Sequence, residues 1–207
     1  DQYHLVITNV PYLARGKQCD RLKDFCDTYY SEAKNDLATV FLDRCLDFCY
    51  TGGTTSIVLP QNWLFLVTYK NFREKLLNHE SWHLIARLGS GAFDTISGEV
   101  VKAVLLVISR GIYHQDGKGQ LSEPRGQISG IDASERRTPV EKAELLRIDE
   151  IKQINQKKQI NNPDHIILLE GIDFSNLFGE YVEVPQGVKT GDDNYFRQYF
   201  WEHQSIA

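Results

Sequence analysis

The second half of a doubly wound α/β sheet is the fold this sequence predicts, and three observations carry the prediction. Four short runs rich in β-branched and aromatic residues, Tyr3–Thr8, Thr54–Leu59, Trp82–Leu88 and Val100–Ser109, have the length and composition of strands. The segments between the first three place apolar residues at i, i+3 and i+4, the spacing of one helix face. Strand–helix–strand–helix–strand followed by one more strand is the order of a mostly parallel sheet with helices packed on it.

Tyr3–Thr8 reads as a buried parallel strand feeding a turn at Asn9. Lys17–Thr28 has helical spacing in Leu22, Phe25 and Cys26, the pattern of a helix laid on the sheet. Asn35–Tyr50 is a stronger helix, with Leu37, Val40, Phe41, Arg44, Cys45 and Phe48 along one stripe. Asn35 or Asp36 suits its N-cap, and Gly52-Gly53 its end. Pro60 stops the second strand, and Tyr69–Asn78 is amphipathic and helical. The fourth strand is apolar enough to be buried on both faces.

After residue 110 the character changes. From Gly111 to Thr138 Gly, Ser, Gln and charge dominate, and a long exposed or partly disordered loop is expected. Pro139–Asn161 reads as one helix with proline in its first turn. Its polar residues (Lys152, Gln153, Gln156, Lys157, Lys158) fit a solvated face or a partner surface. Ile166–Leu169 fits a short strand, and Asn176–Gly179 leads to a Gly187–Asn194 turn and an aromatic tail from Tyr195 to Trp201. The expected organisation is an α/β part over 1–110, a connection over 111–138 and a helix leading to a further region over 139–207.

Composition bounds the function. The 207 residues carry 42% hydrophobic and 11% aromatic side chains, enough for a packed core. No apolar run is long enough to span a bilayer and no signal-peptide pattern opens the chain, so no membrane partner and a cytoplasmic location are expected. The four cysteines, Cys19, Cys26, Cys45 and Cys49, have no histidine at ligand spacing and read as free thiols; no metal is expected. The formal net charge of −5 is low for a protein that grips nucleic acid. Either a basic surface lies outside these residues, or the chain does not grip a phosphate backbone.

The most informative stretch is Asn9-Val10-Pro11-Tyr12, directly after the first strand. The Asn9 side-chain oxygen and the Val10 carbonyl are two acceptors that suit a planar exocyclic amino group, and the Tyr12 ring offers a face for a flat heterocycle. Pro11 biases Val10 toward an extended backbone and so fixes its carbonyl. An ordinary turn uses the same residue types.

Further along come Leu13-Ala14-Arg15-Gly16-Lys17, Ala33-Lys34-Asn35-Asp36-Leu37-Ala38, Pro60-Gln61-Asn62-Trp63-Leu64-Phe65, Gly91-Ala92-Phe93, Ser97-Gly98-Glu99-Val100-Val101 and Gly187-Val188-Lys189-Thr190-Gly191-Asp192-Asp193-Asn194. In this order and spacing the chain resembles the large Asn-Pro-Pro-Tyr adenine DNA methyltransferases. The BREX phage-defence methyltransferases (PglX-like) and the fused type IIG restriction–modification enzymes are the most similar groups. The family's first proline is Val10 here, a departure that keeps the backbone carbonyl and loses some rigidity.

The resemblance implies a class I S-adenosylmethionine-dependent methyltransferase sheet whose last strand inserts antiparallel, followed by the approach to a target-recognition region. It implies methyl transfer to the N6 of a flipped adenine in double-stranded DNA. Asn9, Val10, Pro11 and Tyr12 form the catalytic cradle, with Phe93 as a second stacking ring, although Phe93 equally fits a loop residue packed on the sheet rim. Arg15, Lys17, Thr190, Asp192 and Asn194 are candidate DNA contacts. An exposed helix start or a tight Gly-Asp turn explains the same residues.

The family's glycine-rich S-adenosylmethionine loop precedes this motif, so the cofactor-binding residues are expected outside this sequence and the chain is expected to be an inactive internal piece. Its open sheet edge implies self-association, and the family implies other defence-system subunits as partners. A methyltransferase for an RNA base or a protein glutamine, and a catalytically silent DNA-binding or assembly module, remain as alternatives.

Overall fold

The computed structural model describes residues 1–92, 101–111, 114–115, 121–122, 126–148 and 150–170. Residues Asp1–Gly171 form one compact unit. Its elements run β1 (Tyr3–Asn9), α1 (Asp20–Tyr29), α2 (Leu37–Phe48), β2 (Cys49–Pro60), α3 (Lys70–His79), β3 (Ser81–Gly89) and β4 (Ala103–Ser109). They continue with β5 (His114–Gln115), β6 (Leu121–Ser122), β7 (Gln127–Asp132), α4 (Pro139–Ile148), β8 (Lys152–Asn155) and α5 (Gln156–Gln159).

Six strands form one mixed sheet in the order β1-β2-β4-β3-β7-β8, and β5 pairs with β6 alone. β1 runs parallel to β2, and β3 parallel to β7. β4 lies antiparallel between β2 and β3, with Ile57 and Ile85 both opposite Leu106. This is the inserted last strand that the family resemblance implied.

One face of the sheet carries the core. Ile57, Leu59, Ile85, Leu106 and Ile108 are at most 1% exposed and pack in one cluster with Leu42 and Leu46 of α2 and Phe72 and Leu76 of α3. Trp82 and Trp63 extend the cluster, their rings 5.7 Å apart. The opposite face is less covered: Val58, Leu105, Val107 and Leu84 are half-buried, and Leu5 and Ile7 are exposed.

Two expectations are corrected here. β1 is a parallel strand, but it is an edge strand and largely exposed rather than buried, because no element covers its outer side among the described residues. β4 begins at Ala103; its Val104, Leu106 and Ile108 face is fully buried, while on the other face Ala103 and Ser109 are buried and Leu105 and Val107 half-buried.

Other corrections have local causes. Asp36 is the N-cap of α2, its side chain accepting from the Ala38 N–H at 2.8 Å. The helix does not run to a glycine stop: it ends at Phe48 and passes at once into β2. Gly52, with φ 82°, instead lies within β2 beside the register irregularity between Tyr3 and Leu5 of β1.

The segment 111–138, expected as a loop, contributes β7, whose Ile128 is fully buried. The helix expected over Pro139–Asn161 breaks into α4, β8 and α5, because Lys152–Gly130 and Ile154–Ile128 pair across an antiparallel ladder. Gln156, read as exposed, is 1% exposed. Its amide donates to the Leu77 and Glu80 carbonyls at 2.9 and 2.7 Å and accepts from the Trp82 N–H at 3.1 Å. That satisfies the end of α3 and the start of β3 together. Ile166–Leu169 is not a strand, yet Ile167 and Leu169 are buried.

Candidate active site

At the tip of β1 the chain leaves the sheet and crosses toward the start of α2. Asn9 is the last strand residue, opposite Val58 of β2, and its side chain is exposed. Val10 is 6% exposed and belongs to the core cluster, so packing fixes this residue where the family's proline would stiffen the backbone. Pro11 is exposed, and Tyr12 is half-buried against the core.

The stretch after Tyr12 is laced to the turn before α2. The Leu13 N–H donates to Asp36 Oδ1 at 3.3 Å, the Leu37 N–H to the Leu13 carbonyl at 3.0 Å, and the Arg15 N–H to the Asn35 carbonyl at 2.9 Å. Gln18 reaches back to the Leu13 carbonyl at 3.1 Å. The loop, which contains one 3-10 turn at Arg15–Lys17, is thereby held to the start of α2.

Tyr12 faces a cavity of about 400 Å³, walled also by Lys17, Asp36, Pro60, Asn62 and Lys102. Burial and the nearby Asp36 charge push the Tyr12 phenol above its usual range, so the ring stays neutral. A second cavity of about 260 Å³ lies on the other side of Asp36 and Asn62 and is lined by Trp63, Leu66 and Tyr69. Burial holds the Tyr69 phenol up at about 12.

Arg73 fixes the Asn62 corner from below. It is fully buried, and its guanidinium donates to the carbonyls of Trp63, Leu66 (2.8 Å), Asp164 (2.8 Å) and His165 (2.9 Å).

The expected site residues thus divide. Tyr12 and Lys17 meet at the cavity, while Asn9 stands exposed at the strand tip and is not part of that cavity's lining. Arg15 forms an ion pair with Asp27 at 2.6 Å, an intramolecular commitment that sequence spacing does not reveal. Asn62 also lines the cavity, and Trp63 is a core residue. Phe93, Thr190, Asp192 and Asn194 lie outside the described residues. The turn leading to Phe93 is fixed at Gly91, whose φ is 70° and where a Cβ would run into the Arg137 carbonyl. Sequence reading did not assign Lys102 to the site, since only the pairing of Pro60 with Ala103 brings it there.

Parallel strands with alternating helices and an antiparallel strand, β4, inserted among them make this a mixed sheet of the doubly wound α/β kind. Residues 1–93 match the family model of the Eco57I restriction-modification methylase.

The chain is 35% identical over 111 residues to the adenine-specific methyltransferase PglX of Lacticaseibacillus casei (strain Zhang), covering 53% of this chain and 9% of that protein. It is 33% identical over 107 residues to the adenine-specific methyltransferase BrxX of Escherichia coli O9:H4 (strain HS), covering 52% and 9%. The chain therefore spans only a small part of the length of these relatives.

In fold it is similar to the type I restriction-modification methyltransferase subunit of Streptococcus thermophilus, with a TM-score of 0.55 at 17% identity, over 80% of this chain and 37% of that one. It is also similar to the type IIG restriction endonuclease BpuSI, with a TM-score of 0.51 at 18% identity, over 79% and 20%.

Among the described residues, the connections from β1 to α1 and from β2 to α3 contain no glycine-rich turn of the kind that cradles a nucleoside. These residues do not by themselves make a cofactor site. No described helix is long and apolar enough to cross a membrane, and no group of metal-ligating side chains occurs among the described residues.

Proposed function

We propose that this chain is the catalytic-loop part of a DNA adenine N6-methyltransferase acting in restriction–modification or phage defence. The observation that carries the reading is the β1 tip: an exposed Asn9 amide, a Val10 held by the core, and a Tyr12 ring facing a cavity, all within the segment that matches the family model.

The lone pair of an exocyclic adenine nitrogen is delocalised into the ring. Hydrogen bonds from its two N–H groups to the Asn9 side-chain oxygen and the Val10 carbonyl pull it toward a tetrahedral geometry and localise that pair. Positioning and fixed dipoles then lower the barrier without a strong base. Extruding the adenine from the duplex costs a few kcal/mol. Stacking on Tyr12 returns about 1–3 kcal/mol of that. S-adenosylmethionine, when bound by residues other than those described, supplies the methyl group.

Phe93 closes the other face of the base in this reading, and Lys17, Thr190, Asp192 and Asn194 approach DNA. Arg15 is the weaker candidate because Asp27 holds it. In this reading the enzyme is cytoplasmic and works with other defence subunits; the sheet that presents the β1 tip extends past residue 110 through β7 and β8, and the chain then leads toward target recognition. The test is mass-spectrometric analysis of nucleic acids from cells expressing the full-length protein. N6-methyladenine in DNA is expected. Its absence from DNA, or its presence only in RNA, overturns the proposal.

A further inference from the structure

The chain is acidic overall, with a formal net charge of −5, yet the cavity beside Tyr12 is not. Its charged lining residues are Lys17, Lys102 and Asp36. Asp36 Oδ1 is committed to two backbone N–H groups, of Ala38 and Leu13. Most other described cations are also committed within the molecule. Arg15 and Lys34 pair with Asp27, Lys75 with Asp43, and Arg87 with Asp132, while Lys142 donates to the Leu88, Ala133 and Arg136 carbonyls. Lys17 and Lys102 are both exposed, and among the described residues neither side chain has a hydrogen-bond or ion-pair partner.

Their backbones, in contrast, are anchored. The Gln61 N–H donates to the Lys102 carbonyl at 2.7 Å, locking Lys102 to the Pro60 corner, and the Lys17 N–H donates to the Ala14 carbonyl at 2.8 Å. Two ammonium groups on backbone-anchored residues therefore line one cavity, which Tyr12 also lines.

Resting on the function proposed above, we infer that Lys17 and Lys102 form a phosphodiester clamp. They take the DNA backbone on either side of the extruded adenine, with Lys102 contributing a contact that no motif of the chain announces. The chemistry fits. A base entering the cavity brings its flanking phosphates to the mouth, and an ammonium binds phosphate as a point charge with no fixed geometry. The clamp also accounts for how a net-negative surface meets DNA: attraction is concentrated at the cavity.

The experiment measures binding of the full-length protein to a fluorescein-labelled DNA duplex carrying adenine opposite an abasic site, titrated from about 50 to about 200 mM salt. Lys102→Gln and Lys17→Gln are each expected to flatten the slope of log affinity against log salt by about 0.9, and the double substitution by about 1.8. Asn9→Ala in the same assay is expected to leave the slope unchanged while weakening the preference for the unpaired adenine.

A slope unaltered by Lys102→Gln overturns the clamp even if Asn9→Ala behaves as expected, in which case the base cradle still stands. Loss of adenine preference in none of the variants overturns the cradle itself. Equal binding of the matching RNA duplex, with the same lysine dependence, overturns the assignment to DNA.

Discussion

Asp36 holds Leu13: its Oδ1 accepts the Leu13 N–H at 3.3 Å while capping α2 through the Ala38 N–H at 2.8 Å. One carboxylate oxygen thus joins a helix start to the loop that follows Tyr12. Asp36→Ala removes both bonds and is expected to lower stability by about 1–2 kcal/mol. Asp36→Asn keeps an acceptor oxygen and is expected to recover most of that. Urea denaturation of the chain and both variants checks this; an Ala variant as stable as the parent would remove Asp36 from the support of the loop.

Arg73 makes a stronger claim. Its buried guanidinium serves four carbonyls at once, two of them following the Asn62 corner. Arg73→Met takes that partner from the Trp63, Asp164 and His165 oxygens, at about 1–3 kcal/mol each, while the Leu66 carbonyl still accepts the Tyr69 N–H at 3.1 Å, so a loss of at least about 3 kcal/mol is expected. Lysine does not rescue, because a point charge cannot span the planar fork. A melting temperature within a few degrees of the parent would contradict this.

Glu80 gives the chain a pH dependence. Its carboxylate accepts the Gly111 N–H at 2.6 Å, but burial dominates and raises it from 4.5 to about 6. A carboxyl raised in the folded state keeps more protons there than in the unfolded state. Stability is therefore expected to fall as pH rises from 4.5 to about 6, and to level off above that. The drop is of the order of 2 kcal/mol at most. Glu80→Gln is expected to flatten this window and to be the more stable protein at neutral pH. Unfolding curves at several pH values test it, and a parent that gains stability across the window would refute it.

The open side of β1 predicts self-association of the chain. Leu5 and Ile7 are 56% and 71% exposed on an edge strand without a neighbour on that side among the described residues. Light scattering is expected to show mass rising with concentration, and Ile7→Lys to suppress it. A sharp monomer at all concentrations would show that the edge is protected.

Much of the sheet was legible because long apolar periods leave little choice. The stripe from Leu37 to Phe48 and the runs into β2, β3 and β4 fall where spacing put them. What escaped were elements whose evidence is non-local. β7 has only Ile128 and Ile131 between glycine and polar residues, and its strand character comes from lying beside β3. The polar run after Ile151 looks like a solvated helix until Gln156 is seen satisfying three backbone groups on other elements. Lys142 is similar: a lysine in an apparently exposed helix is 2% exposed and donates to three carbonyls.

At the candidate site, local chemistry singles out Asn9–Tyr12 for the proposal. The same reading could not foresee that Asp27 occupies Arg15 or that Lys102 comes to the cavity, since both depend on how distant segments meet.

The cradle at the β1 tip is tested most directly by Asn9→Ala in the full-length protein, measuring methyl transfer to duplex DNA alongside affinity for S-adenosylmethionine. Transfer is expected to be lost with cofactor affinity near that of the parent, because in the proposed cradle the side chain acts on the amine and not on the methyl donor. Methylation of adenine at an undiminished rate in Asn9→Ala would contradict the account.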